Sequence, residues 1–113
     1  MLRTDSITEN KIFRRLYYKG HVLRSPLVVL YYMKNKSLGK RNLLGLTVST
    51  KVGKAVRRNK VRRWMREAYR AYEPKLCCGY YIVLVARICA VDGDYSGISK
   101  VIGGMFKRAG LFE

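Results

Sequence analysis

Apolar positions recur along this chain in two rhythms. In residues 8–18, TENKIFRRLYY, the side chains Ile12, Phe13, Leu16 and Tyr17 fall on one side of a 3.6-residue turn. That spacing predicts a helix, with Thr8 as its cap and Gly20 as its stop. HVLRSPLVVLYYMK, from residue 21, is rich in β-branched and aromatic residues, and Pro26 divides it into strands near 21–24 and 27–34. NKSLGKRN is a polar loop. In LLGLTVS, 43–49, Leu44, Leu46 and Val48 alternate with smaller residues, which predicts a strand. YYIVLVAR, 80–87, is almost wholly apolar, the pattern of a strand covered on both faces and therefore central. AVDGDYSG reads as a turn. Asp94 can cap a last helix over 95–109, whose packed face is Ile98, Val101, Ile102, Met105 and Phe106. Gly97, Gly103 and Gly104 weaken that helix by about 1 kcal/mol each relative to Ala, so packing must hold it.

The remaining segment, KVGKAVRRNKVRRWMREAYR (51–70), is dense in Lys and Arg, yet its apolar residues are ordered. On a helix over 54–72, Val61, Trp64, Met65, Ala68 and Tyr72 gather into one stripe. Asn59, Arg62, Arg63, Arg66 and Arg70 gather nearly opposite, while Arg57, Arg58 and Lys60 flank the stripe. Glu73-Pro74 ends the helix. The order α-β-β-β-α-β-α describes an α/β (α+β) sandwich: one central four-stranded sheet with helices packed on it. Neither repeats nor a long linker interrupt the chain, so residues 1–113 are expected to form a single domain.

Composition sharpens this picture. Hydrophobic residues make up 49% of the chain, which opposes disorder. Against 7 Asp and Glu stand 24 Lys and Arg, a formal net charge of +17. Self-repulsion of that size is offset by a polyanion, whether nucleic acid, an anionic membrane surface or an acidic protein. The richness in Arg favours nucleic acid, because a guanidinium meets phosphate bidentately and stacks on bases. Solvated helix faces usually mix Glu with Lys. Here only Glu67 offers relief, to Arg63 or Arg70, and like charges at i,i+4 cost stability. A basic first turn opposes the helix dipole as well. Gly53 before the helix would allow a close backbone approach to phosphate.

Catalytic and metal chemistry find little support. The lone His21 supplies no acid–base pair, and Ser25 and Ser49 have no base implied nearby. Asp92 and Asp94 read as a turn and a cap rather than a metal-binding pair. Cys77, Cys78 and Cys89 are odd in number and lack a second ligand pair at zinc spacing, so they read as buried or semi-exposed thiols. No apolar run is long enough to span a bilayer. MLRTDSITENK lacks a signal peptide's hydrophobic segment. A cytoplasmic location is expected, with no membrane partner.

Residues 48–70, VSTKVGKAVRRNKVRRWMREAYR, resemble the signature of the bacterial ribonuclease P protein subunit family. That signature runs from a strand end through a Lys-Gly turn into a helix with an Arg-Asn-Arg core, here Arg58-Asn59-Lys60. IFRRLYYKG is similar to the family's first helix, VVLYY to the strand after it, and IVLVAR, ending at Arg87, to its fourth strand. Two positions depart: Thr50-Lys51 replaces a common Lys pair, and Lys60 stands where Arg is usual. Lys60 lacks the guanidinium fork, which suits phosphate contact better than oriented stacking.

The resemblance implies a ribonucleoprotein subunit that supports 5′ maturation of precursor tRNA, with catalysis by the RNA partner through Mg²⁺, none of it bound by this chain. It implies two surfaces. Lys51, Lys54, Arg57, Arg58, Asn59, Lys60, Arg62, Arg63 and Arg66 would bind the catalytic RNA, Asn59 through a base edge or a 2′-OH. Phe13, Tyr17 and Tyr31 would line a cleft for the substrate's single-stranded leader; from spacing alone, aromatics at i,i+4 such as Phe13 and Tyr17 read more readily as core. The family's left-handed β-α-β crossover is implied too, against the usual right-handed rule. No obligate protein partner is expected. The competing readings are a structural, ribosomal-type RNA-binding protein without a role in tRNA processing, and a protein-only nuclease.

Overall fold

The computed structural model describes residues 3–113; Met1 and Leu2, the start of the polar N-terminal stretch, lie outside the described residues. Five strands and three helices follow in the order β1 (Thr4–Ser6), α1 (Asn10–Lys19), β2 (His21–Arg24), β3 (Val28–Lys34), β4 (Asn42–Val48), α2 (Ala55–Tyr72), β5 (Tyr80–Ala86) and α3 (Tyr95–Ala109). Short 3₁₀ turns fill several of the connections. The sheet order is β1-β4-β5-β3-β2. The apolar strand β5 is central, as its composition predicts. It runs parallel to β4, with Leu44 opposite Ile82, and antiparallel to β3, with Leu30 opposite Leu84. Helix α2 makes the crossover between the parallel neighbours β4 and β5.

Alternation along β5 divides its side chains between two cores. Ile82 and Leu84 join Leu30 and Leu44 under α2 and α3, packed on Val61, Met65, Tyr69, Ile102 and Phe106. Tyr81 and Val83 face the other way and meet Leu16 of α1, with Ile12 and Phe13 against them. Burying side chains of this kind stabilises the fold by about 1.5–3 kcal/mol each. The result is a sheet with α1 on one face and α2 with α3 on the other.

The structure corrects three expectations. The sheet has five strands, not four: Thr4–Ser6 pairs parallel with Asn42–Leu44. Of the three residues only Thr4 is buried, and its hydroxyl bonds to the Glu73 carboxylate and, at 2.7 Å, to the Tyr69 hydroxyl. Thr8 does not cap α1; Glu9 holds the cap position without a side-chain bond, and the helix starts at Asn10. Glu67 makes no ion pair within 4 Å among the described residues, so it relieves neither Arg63 nor Arg70. Asp94 does cap α3, its Oδ1 accepting from the Gly97 N–H at 2.8 Å, and the Gly20 N–H closes α1 on the Leu16 carbonyl at 2.9 Å.

Candidate nucleic-acid interface

The basic segment leaves β4 through a tight turn. Ser49 Oγ accepts from the Lys51 N–H at 3.2 Å, and Val52 is buried, which anchors the turn to the core. Gly53 has φ 148°, a region that favours glycine, and a Cβ there would stand 3.0 Å from Arg57 Cδ. Lys51, Lys54 and Arg57 are exposed around the N-terminal end of α2, where no acidic residue occupies the first turn. Cations there add to the positive end of the helix dipole, which makes the end attractive to anions and costly to leave unpartnered.

Along α2 the packing stripe holds. Val61, Trp64, Met65 and Ala68 are buried, Tyr72 is half-buried, and Tyr69, absent from the predicted stripe, is buried with them. Burial pushes the Tyr69 phenol above its ordinary pKa, against the lowering effect of its bond to Thr4. Asn59, Lys60, Arg63 and Arg66 are exposed, whereas Arg58 and Arg62 are half-buried. Neighbours preorganise several of these groups. Arg62 Nη1 donates to Asn59 Oδ1 at 3.1 Å, so Asn59 keeps its two amide donors and one oxygen lone pair for a partner. Lys60 Nζ sits 5.1 Å from the centre of the Trp64 ring. Arg58 Nε is buried without a hydrogen-bond partner.

Phe13, Tyr17 and Tyr31 do come together. Tyr17 stands edge-on to Tyr31, with ring centres 4.8 Å apart, and 6.3 Å from Phe13. Its hydroxyl lies 3.4 Å from Thr47 Oγ1 of β4. Tyr17 is 44% exposed, so its ring is not the core residue that spacing alone allowed. Phe13 lies directly over Gly45, where a built Cβ would come within 2.5 Å of its ring.

One feature of the site was not legible beforehand. Pairing with β1 ends at Leu44, so β4 is open on that side from Gly45 onward. A cavity of 210 Å³ sits at this opening, lined by Phe13, Gly45 and Leu46 together with Arg62 and Arg66. The aromatic cleft and the cationic helix therefore meet around the edge of β4. Helical spacing placed Arg62 and Arg66 opposite the stripe but carried no information about which neighbour they overlook. A larger cavity, 740 Å³, lies where β4 and β5 end, lined by Arg24, Ser49, Arg87 and Ile88. The only advance signal for it was the arginine at the end of the fourth predicted strand.

The arrangement suits holding RNA: fixed cations for phosphates and aromatic faces for bases. Among the described residues, no three His, Cys, Asp or Glu side chains come together in a metal-holding group. His21 is exposed and packs on Tyr32, with ring centres 5.1 Å apart. The three cysteines are free thiols; Cys77 and Cys78 are half-buried, Cys78 Sγ accepting from Arg3 Nη1 at 3.2 Å, but Cys89 is exposed, against the expected burial.

Known proteins of the same build exist. The sequence pattern of the family described as Ribonuclease P matches residues 1–110. The chain is 39% identical to a ribonuclease P protein component of Clostridium botulinum, over 99% of this chain and all of that protein. It is also 39% identical to one of Clostridioides difficile, covering 96% of this chain and 95% of that one. The fold matches the solved structure of Staphylococcus aureus RNase P protein with TM-score 0.87 at 32% identity, covering 96% of this chain and 97% of that one. It matches the RNase P protein of Thermotoga maritima with TM-score 0.81 at 27% identity, covering 92% and 96%.

Proposed function

This chain belongs to the ribonuclease P protein family, and from that premise we propose how its two surfaces divide the work. It is the protein component of an endoribonuclease that matures the 5′ ends of tRNA together with an RNA subunit. The catalytic RNA lies against Lys51, Lys54, Arg57, Arg58, Asn59, Lys60, Arg62, Arg63 and Arg66. Phe13, Tyr17 and Tyr31 take the single-stranded 5′ leader of precursor tRNA by stacking, which tolerates any leader sequence and contributes about 1–3 kcal/mol per base.

The observation that carries this reading is the junction at β4, where Arg62 and Arg66 share a cavity with Phe13. It lets one protein touch the catalytic RNA and the leader side by side. In this reading the chain positions RNA and screens phosphates, and its carboxylates take no part in the cleavage. Mg²⁺ held by the RNA supplies the Lewis-acid and nucleophile-generating chemistry of phosphodiester hydrolysis. The holoenzyme works in the cytoplasm, without an obligate protein partner. No described helix is long and apolar enough to cross a membrane.

The test is Tyr17→Ala in the reconstituted holoenzyme. Affinity for precursor tRNA is expected to fall while affinity for leaderless mature tRNA holds. An equal loss for both would remove the leader from the cleft.

A further inference from the structure

The outward side of α1 carries a second surface that neither the cleft nor α2 accounts for. Lys11, Arg14, Arg15 and Tyr18 stand at i, i+3, i+4 and i+7, one stripe opposite Ile12, Phe13 and Leu16. All four are exposed, and Tyr18 is 89% exposed. Among the described residues, its ring meets no other ring and no cation, so both faces are open. Lys11 is paired with Glu9 at 3.1 Å. No carboxylate comes within ion-pair distance of Arg14 or Arg15 among the described residues.

A solvated helix face would carry acids to balance these cations and would not expose a whole tyrosine ring to water. An open aromatic face flanked by unpaired guanidinium groups has the chemistry that grips single-stranded RNA, with the base on the ring and the phosphates on the cations. The surface is also continuous with the cleft. Tyr17, which touches Phe13 and Tyr31, directly precedes Tyr18, and Arg14 lies one turn below Tyr18 on the same helix.

We propose that the leader continues from the cleft over α1, and that Tyr18, Arg14 and Arg15 hold its more distal nucleotides. This rests on the leader-cleft reading and extends it: the holoenzyme senses leader length as well as leader presence. A helix is about 10–12 Å across, so only a leader that outruns the cleft reaches this side.

The test compares precursor tRNAs with a short leader, a long leader and no leader, bound to holoenzyme reconstituted with its own catalytic RNA. The variants are Tyr18→Ala, the double change Arg14→Gln with Arg15→Gln, and Tyr17→Ala. Tyr18→Ala is expected to weaken the long-leader substrate at least about five-fold, the lower end for one lost base stack, and to leave the short-leader and leaderless RNAs unchanged. The arginine double variant should do the same, with a shallower salt dependence. Tyr17→Ala should weaken both leader-bearing substrates. If Tyr18→Ala leaves long-leader affinity intact while Tyr17→Ala lowers it, the outer-face inference falls and the cleft reading stands. If neither variant lowers it, both fall. A loss from Tyr18→Ala that is equal on all three RNAs would assign α1 to the tRNA body or the catalytic RNA and overturn the inference.

Discussion

Gly45→Ala probes the join between the fold and the cleft. Gly45 lies on β4 beneath Phe13. An added methyl carbon would stand 2.5 Å from Phe13 Cε1, 2.7 Å from its Cζ and 3.3 Å from Val83 Cγ2. Ordinary carbon contacts begin near 3.5 Å, so the ring tip must retreat by roughly 1 Å. Val83 is fully buried on the central strand and has little room to yield. Phe13 is half-buried on α1 and is the partner that moves. Overpacking of this kind costs about 1–3 kcal/mol, read as a lower urea midpoint and a fall in Tm of roughly 4 °C per kcal/mol. Displacing Phe13 should weaken leader-bearing substrate as well. The double variant Gly45→Ala with Phe13→Leu should regain most of the stability but none of the leader affinity, since Leu clears the methyl and cannot stack. Strong non-additivity of the two changes is therefore expected in urea titrations. If Gly45→Ala proves neutral in stability and in leader binding, or the two changes simply add, Phe13 does not rest on Gly45 and the cleft geometry is wrong.

The two-faced reading of α2 predicts opposite outcomes for neighbouring residues. Trp64→Ala should cost about 3–5 kcal/mol of stability, whereas Arg62→Ala with Arg66→Ala should leave far-ultraviolet circular dichroism and the urea midpoint nearly unchanged and weaken assembly with the catalytic RNA. Equal damage to folding from both sets would refute the stripe. Asp5 and Arg41 meet in two hydrogen bonds, at 2.7 and 2.8 Å, and those bonds hold the Asp5 carboxyl below its ordinary pKa. That stabilisation is complete above the ordinary carboxylate value, near 3.9, and is lost as pH falls through the lowered one. Asp5→Asn should therefore flatten the acid limb of a stability–pH curve, and an unchanged limb would leave the clamp without effect.

Much of this molecule can be read from its sequence because strong patterns coincide with deep burial. The run at 80–87 is apolar on both sides because β5 feeds two cores, and the stripe of α2 survives because Val61, Met65 and Ala68 have no exposed alternative. The segment Thr-Asp-Ser at 4–6 gives no such signal. Its pairing is held by backbone bonds and by one buried hydroxyl reaching Tyr69 and Glu73, residues distant in sequence. The cleft was legible only through resemblance, since helical spacing does not tell a half-open aromatic from a core one. Long-range geometry decided what spacing left open: Tyr17 is exposed, Glu67 finds no cation to pair with among the described residues, and Arg62 with Arg66 overlooks Phe13 because β1 stops short and opens the edge of β4.

The most direct measurement is precursor tRNA cleavage across a Mg²⁺ titration, with the catalytic RNA alone, with this protein added, and with the protein alone. The protein's fixed cations should take over part of the phosphate screening that Mg²⁺ otherwise supplies. Adding the protein should move the RNA's activity to markedly lower Mg²⁺, and the protein alone should cleave nothing. Superimposable titrations with and without protein, or cleavage by the protein alone, would contradict the account.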